Sequence, residues 1–509
     1  MSRSKALKLN MIASLLSEFV TLVSGLILPR LTLLYFGSSN NGLVSSISQF
    51  LGFSAILRAG IGGATRAALY RPLAEKDYRN LNGIMSATNR HMQKVGIIIG
   101  SSIIVFSLVY PFFVSNEYDW FYAFSMVLII GFGAFIDNFF GIKYKILLQA
   151  DQKYYIQIGA STITNVLTTV SSIILILSGS TIHIVRIGVA IVSLTNPLLL
   201  SLYVRKNYNI DWKSRPDNTA IKQRWDAFFH QVASIVNQNI DLVLLTLFVS
   251  LKEVSVYTVH FMVVNNIGKV VNSCVTGINS TFGNIIANDE KENLRKTFFF
   301  IEWIMFSICL VMFSVTAVML PGFTYLYTSS ITDVNYVRPV LAVLMVIVSM
   351  ISSTRIPYQM LVEATGQFRE TRNGAALEVV VNFTISIIMI IKFGVIGVII
   401  GTLIAGIIRT IEYAYFCMKK ILYINPIHVL KHYLLLTVTF TTCYFAGIYV
   451  GFIDIVNYAS WAGNAMIVTV TSTIITIIVA LVFYRQQVKY LIARIKAKRN
   501  GRRAYDQMD

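Results

Sequence analysis

Apolar runs of about 20 residues recur along the whole chain, separated by short clusters of charged and polar residues. At 1.5 Å per residue, a helix of that length spans the roughly 30 Å hydrocarbon core of a bilayer, so the pattern predicts about fourteen transmembrane helices. In the first half they are Leu9–Tyr35, Leu43–Ala64, Val95–Val114, Trp120–Ile142, Ile156–Leu177 and Ile184–Val204. In the second they are Ala227–Val249, Val254–Ile286, Phe298–Leu320, Pro339–Leu361, Ala375–Ile391 and Val395–Phe416, followed by Tyr433–Phe452 and Ala459–Tyr484. The runs are continuous rather than alternating, which disfavours a β-barrel. Composition agrees: 55% hydrophobic residues, 13% charged residues and a mean hydropathy of +0.65 exclude a soluble domain of this size. The expected fold class is an all-α polytopic membrane protein.

Orientation follows from Lys and Arg. With a cytoplasmic N-terminus, the inner segments take Arg3, Lys5 and Lys8 and the clusters Arg71–Lys94, Lys143–Lys153, Arg205–Arg224, Lys291–Lys296, Arg369 with Arg372, Lys419–Lys431 and Arg485–Arg503. The outer loops keep only Lys252, Arg338 and Lys392. This asymmetry places both termini in the cytoplasm and accounts for most of the +19 net charge, so no nucleic-acid partner is expected. The first run is too long for a signal peptide and is read as a retained helix.

The chain repeats itself at an offset of roughly 212 to 214 residues. Ala74–Leu81 then faces Ala287–Leu294, Ser172–Leu175 faces Ser386–Met389, and Arg205-Lys206 faces Lys419-Lys420. Pro29 meets Asp241, and Lys269 falls within a residue or two of the partner of Arg58. A unit of six helices is even, so both copies enter the membrane in the same direction, the parallel-repeat plan of transporters. The expected organisation is a six-helix lobe at 1–206, a cytoplasmic linker at 207–225, a second six-helix lobe at 226–420, two extra helices at 421–484 and a basic tail at 485–509. In that tail Val488, Leu491, Ile492 and Ile495 make one face among basic residues, the pattern of a helix lying on an anionic inner leaflet.

The helix count, the two lobes and several short stretches resemble one known family. The stretches are Leu28-Pro-Arg30 through Phe36-Gly37 to Asn41-Gly42, Ala59-Gly-Ile-Gly-Gly-Ala64, and Glu363-Ala-Thr-Gly-Gln-Phe-Arg369. The family is the polysaccharide transport branch of the multidrug/oligosaccharidyl-lipid/polysaccharide (MOP) exporter superfamily, with its Wzx-type O-antigen and capsule flippases. The resemblance implies alternating access by two lobes around a central cavity. It also implies a polyprenyl-diphosphate-linked oligosaccharide as cargo, moved from the inner to the outer leaflet of a bacterial cytoplasmic membrane by a monomer with no cofactor. Membrane lipids and other polysaccharide-assembly proteins are the expected partners.

Charges inside apolar runs are costly and mark sites. Arg58, Lys269 and Arg355 each lie about fifteen or sixteen residues from the outer end of their helices, about 22 to 25 Å deep. Such a layer suits a diphosphate, gripped bidentately by Arg and as a point charge by Lys. Arg30, beside Pro29, joins them as a substrate-binding candidate; the other reading of each is a structural pair or a snorkelling side chain. Arg409 precedes Glu412 by three residues, the spacing of an intrahelical ion pair, and Arg186 is read as an interfacial anchor or a pair. Gln238, Asn265, Asn266 and Asn272 are candidate sugar contacts. Glu18 and Asp241 are the deep acids and candidate sites for a coupling Na+ or H+, with Asp241 closing a polar stripe of Gln231, Ser234, Asn237 and Gln238. Asp137, Glu302 and Glu378 are read as interfacial.

Neither the four cysteines nor any histidine pair shows metal spacing on this reading, which places His91, His428 and His432 on inner loops. No phosphate-binding loop and no nucleophile–base constellation is present, so no catalytic residue is expected. Two other functions stay open. A cation-coupled multidrug antiporter of the same superfamily would want an acidic cavity, and a membrane glycan polymerase or ligase would want an outer loop larger than Pro321–Arg338.

Overall fold

The computed structural model describes residues 3–59, 61–217, 225–274, 282, 283, 285, 286, 288, 290–451 and 454–499. Every regular element among them is helical. The first part comprises α1 (Arg3–Gly52), α2 (Ile61–Glu75), α3 (Tyr78–Phe113), α4 (Trp120–Ala150), α5 (Tyr154–Leu177), α6 (Ile182–Asn207), α7 (Trp225–Phe248) and α8 (Leu251–Ser273). The second comprises α9 (Lys291–Tyr327), α10 (Pro339–Thr365), α11 (Phe368–Phe393), α12 (Val395–Ile421), α13 (Ile427–Val450), α14 (Tyr458–Phe483) and α15 (Arg485–Arg499).

Twelve stretches among the described residues are long and apolar enough to cross a membrane, so the chain is a multi-pass membrane protein. The difference from the expected fourteen has two physical sources. Leu9–Arg58 forms one stretch of 50 residues, because the expected loop near Phe36–Gly42 is helical except at Gly37 (φ +80°, ψ 173°). The 23-residue α8 carries Lys252, Glu253 and Lys269 and is too polar to qualify on composition. The expected helix Val254–Ile286 extends beyond α8 into 275–281, outside the described residues.

Several helices also overrun their apolar cores. α3 starts at Tyr78 rather than Val95 and α9 at Lys291 rather than Phe298, since polar residues past the bilayer do not stop a helix. What separates α2 from α3 is a tight turn at Lys76 (φ +56°), after which the Asp77 carboxylate accepts from the Asn80 N–H at 3.1 Å and caps α3.

The chain forms two compact units, Met1–Thr258 with Ser330–Val334, and Val259–Ser329 with Asn335–Asp509. In the first, α1 packs on α5 and α7, α3 on α4, and α6 on both α4 and α5. A polar seam holds α7 and the start of α8 to the far half of α1. Gln49 Nε2 donates to the Gln238 carbonyl at 2.6 Å, Thr246 Oγ1 to Ser46 Oγ at 2.7 Å, and Asn41 Nδ2 to Ser255 Oγ at 2.7 Å. In an apolar surrounding such bonds join helices that lipid would otherwise separate. Asp333 completes the unit by capping the restarted helix after Gly37: it accepts from the Ser38 N–H at 3.0 Å and the Ser38 hydroxyl at 2.7 Å.

Gly42 lies where this seam is tightest, since a Cβ there would sit 1.8 Å from the Leu251 carbonyl oxygen. Backbone cannot rotate away as a side chain does, so Gly42→Ala is expected to cost at least about 3 kcal/mol, the upper range for overpacking. Thermal unfolding of the purified protein checks this, with Gly25→Ala, where nothing lies within 4 Å of the added Cβ, as the near-neutral control.

Of the expected linker 207–225, residues 218–224 lie outside the described residues. The part from 207 to 217 is pinned to α3, with the Ser86 hydroxyl donating to the Ser214 carbonyl at 2.8 Å and the Asp217 N–H to the Gly83 carbonyl at 3.1 Å. Asp211 closes that loop; the Lys213 N–H and the Ser214 hydroxyl hold its carboxyl below the usual carboxylate range.

In the second unit α11 and α12 form a close hairpin, α10 packs on α12, and α9 is the central post that touches α10, α13 and α14. Val488 and Leu491 of α15 pack against a cluster of Phe300, Trp303, Ala480 and Tyr484. The tail expected on a lipid surface thus puts part of its apolar face on α9; residues 500–509 lie outside the described residues.

Candidate functional site

In the first unit the second expected helix, Leu43–Ala64, is broken. α1 ends at Gly52, a 3-10 turn covers Phe53–Arg58, and α2 restarts at Ile61. Non-helical backbone at membrane depth persists only where protein or a water-filled cavity satisfies it, and broken helices mark transporter binding sites. Arg58 ends this turn. Its Nε is buried and has no hydrogen-bond partner, and no ion pair to Arg58 occurs among the described residues. The acid that attracts it is Asp137, which already pairs with Lys145 at 2.6 Å and accepts from Asn196 Nδ2 at 3.4 Å. Asp137 opens a π-helical turn, Asp137–Gly141, within α4; π-turns of this kind recur at functional sites. Asp137 is therefore engaged by Lys145 and forms no ion pair with Arg58 among the described residues.

Arg186 on α6 is a second isolated cation of this unit. Its Nε is buried and unpartnered, and of the two readings, interfacial anchor or pair, no ion pair forms among the described residues.

Arg30 lies partly buried in α1 after Pro29, and Glu18 is exposed on the same helix among Leu15, Leu16 and Phe19. Asp241 is 6% exposed and accepts from the Tyr257 hydroxyl at 2.8 Å. Gln238 is exposed, with Nε2 donating to Ser234 Oγ at 2.9 Å.

In the second unit, Lys269 is exposed on α8 and makes no ion pair among the described residues. Asn265 and Asn272 stand four residues before it and three after, so the three share one helix face. Asn265 is exposed, Asn266 is partly buried, and Asn272 keeps a buried, unpartnered Oδ1.

Arg355 has a different environment. It sits where α10 breaks ahead of Pro357, which lacks the N–H a continuous helix needs. Its Nη1 pairs with Glu378 Oε1 of α11 at 2.9 Å, and the other Glu378 oxygen lies 3.6 Å from Arg409 Nε. Arg409, 2% exposed, also pairs with Glu412 at 2.5 Å, as its spacing predicts, and donates to the Thr371 carbonyl at 3.0 Å. Two arginines and two carboxylates neutralise one another here. Glu378, read from the sequence as interfacial, is the hub that Arg355 and Arg409 share.

No protein-family model matches the chain, and no curated protein does. Among solved structures, lipid II flippase MurJ in an inward closed conformation superposes with a TM-score of 0.71 at 16% identity, over 94% of this chain and 99% of that one. The chain has the MurJ fold. A multidrug resistance MATE family transporter of the MOP superfamily, in an inward-facing conformation, matches 81% of this chain and 97% of its own with a TM-score of 0.57 at 16% identity. The MATE multidrug transporter DinF-BH matches 83% and 98% with a TM-score of 0.58 at 14% identity. The first of these proteins is a flippase and the other two are transporters. At such identities the MurJ-like fold is the extent of what is shared.

Proposed function

We propose that this chain is a flippase that carries a polyprenyl-diphosphate-linked oligosaccharide from the inner to the outer leaflet of a bacterial cytoplasmic membrane. One observation carries the reading: Arg58 and Lys269, at matching places in the repeat, are cations without a paired acid of their own among the described residues. A guanidinium whose Nε is buried without a partner is costly, and an anionic head that arrives and leaves relieves that cost for Arg58 only while bound. Asn265 and Asn272, beside Lys269, supply the neutral hydrogen bonds that sugar hydroxyls need. Arg355, held by Glu378, acts as a structural residue in this scheme, while Arg30 remains a candidate for the head.

The chain crosses the bilayer fourteen times on this reading, with α1 crossing twice about Gly37 and α8 once. At 1.5 Å per residue, the 50 residues of Leu9–Arg58 reach about 75 Å, more than two bilayer cores. Both termini are cytoplasmic, the halves 1–206 and 226–420 are the repeats, and 421–484 is appended to them. Asp241 or Glu18 binds the coupling Na+ or H+.

An inside-negative potential favours outward movement of each negative charge by about 2.3 kcal/mol per 100 mV. A drug antiporter moving cations outward faces the opposite sign. Proteoliposomes therefore separate the two: outward transfer of a short polyprenyl-diphosphate glycan should accelerate when the interior is made negative. Efflux of an organic cation driven by Na+ or H+, with no glycan transfer, would replace this reading with the antiporter.

A further inference from the structure

His428 and His432 do not lie on a loop as expected from the sequence. They occupy the first turns of α13, four residues apart and hence on one face, with ring centroids 4.1 Å apart. Toward them points Glu302 of α9, 0% exposed in the heart of the second unit. One ligand atom from each of the three lies within 4.8 Å of the others, and His432 Nδ1 is 3.8 Å from Glu302 Oε2.

The cluster is incomplete by its own hydrogen bonding. The Tyr358 hydroxyl donates to Glu302 Oε1 and fixes the carboxylate, yet Oε2 is buried with no hydrogen-bond partner. His428 Nε2 is likewise buried and unpartnered. Buried polar groups are almost always satisfied, and a buried carboxylate oxygen beside an orphan imidazole nitrogen asks for an ion or a water. A cation answers both at once. Two imidazoles with one carboxylate are the donor set of zinc-class ions, whereas Ca²⁺ and Mg²⁺ take oxygen ligands. A tetrahedral zinc ion with bonds of about 2.0–2.1 Å separates its ligands by about 3.4 Å, so small side-chain rotations close the site. The Tyr484 hydroxyl, 3.2 Å from His432 Nδ1, stands where a fourth ligand or an outer partner belongs.

We propose that Glu302, His428 and His432 form a binding site for a divalent transition metal of the zinc class, which fastens α13 to α9. α13 and α14 lie outside the six-helix repeats, so the ion clamps the appended pair to the central post of its unit.

Calorimetric titration of the chelator-treated, full-length protein in detergent with Zn²⁺ tests this, with Co²⁺ absorption as the geometric readout. One equivalent of Zn²⁺ is expected, together with the visible bands of tetrahedral Co²⁺ and a Zn²⁺-dependent rise in melting temperature. Glu302→Gln and His432→Gln should each weaken binding at least about 100-fold, and Tyr358→Phe, which only orients the carboxylate, about 10-fold. Absence of Zn²⁺ uptake by the wild type overturns the proposal, as does unchanged uptake in a His428→Gln/His432→Gln double variant. Should those variants fail to fold, a Co²⁺ spectrum of the wild type without tetrahedral bands overturns it alone.

Discussion

Glu378→Ala is expected to lower stability by about 3–5 kcal/mol, the cost of leaving a buried charge without its partner. Arg355 and Arg409 both turn to Glu378, at 2.9 and 3.6 Å, and with side chains 13% and 2% exposed both have little access to water. Thermal unfolding in detergent reads the loss. Replacing Arg355 and Glu378 together with Met and Leu should restore most of it, because a well-packed apolar pair is often no worse than a buried ion pair. Gly374→Ala attacks the same network from its other end: a Cβ there would meet Glu412 Oε2 at 1.6 Å and drive that carboxylate off Arg409. A near-wild-type melting temperature for Glu378→Ala would mean that water, rather than protein, surrounds these groups.

Arg58→Ala is the second large effect, and it falls on transport rather than on folding. A charge-assisted hydrogen bond to a diphosphate contributes about 2–3 kcal/mol, so transport efficiency should fall about 30- to 150-fold. Arg58→Lys keeps the charge and loses the bidentate grip, and should fall only about 5- to 10-fold. Asp137→Asn removes the carboxylate that draws on Arg58 and is expected to leave binding of the anionic head at least as strong. Initial rates against glycan-lipid concentration in proteoliposomes check all three, with melting temperatures showing that the variants stay folded.

The apolar runs made the membrane class and most helices legible, because a bilayer imposes one length and one polarity on every crossing. Local partners were legible too: Arg409 and Glu412 are three residues apart, and the pair is there. Distant partners were not. Arg355 meets Glu378 across 23 positions, and the Ser38 cap is Asp333, 295 positions away; only packing brings either together. Hydropathy also could not find helix ends outside lipid, which is why α3 begins well before Val95. His428 and His432 carried a readable signal, the i, i+4 spacing, but their basic surroundings suggested a loop, and Glu302 lies more than a hundred positions upstream. Asp137 was visible as an acid in an apolar run, though nothing local announced the π-turn that holds it.

The most direct measurement is transbilayer movement of a short polyprenyl-diphosphate oligosaccharide by the reconstituted protein, with Arg58→Ala and Lys269→Ala run beside the wild type. The expected result is protein-dependent movement that both substitutions cut steeply while the proteins remain folded. Movement at wild-type rates in both variants, or none in the wild type, would contradict an anionic lipid-linked glycan whose passage depends on each of these residues.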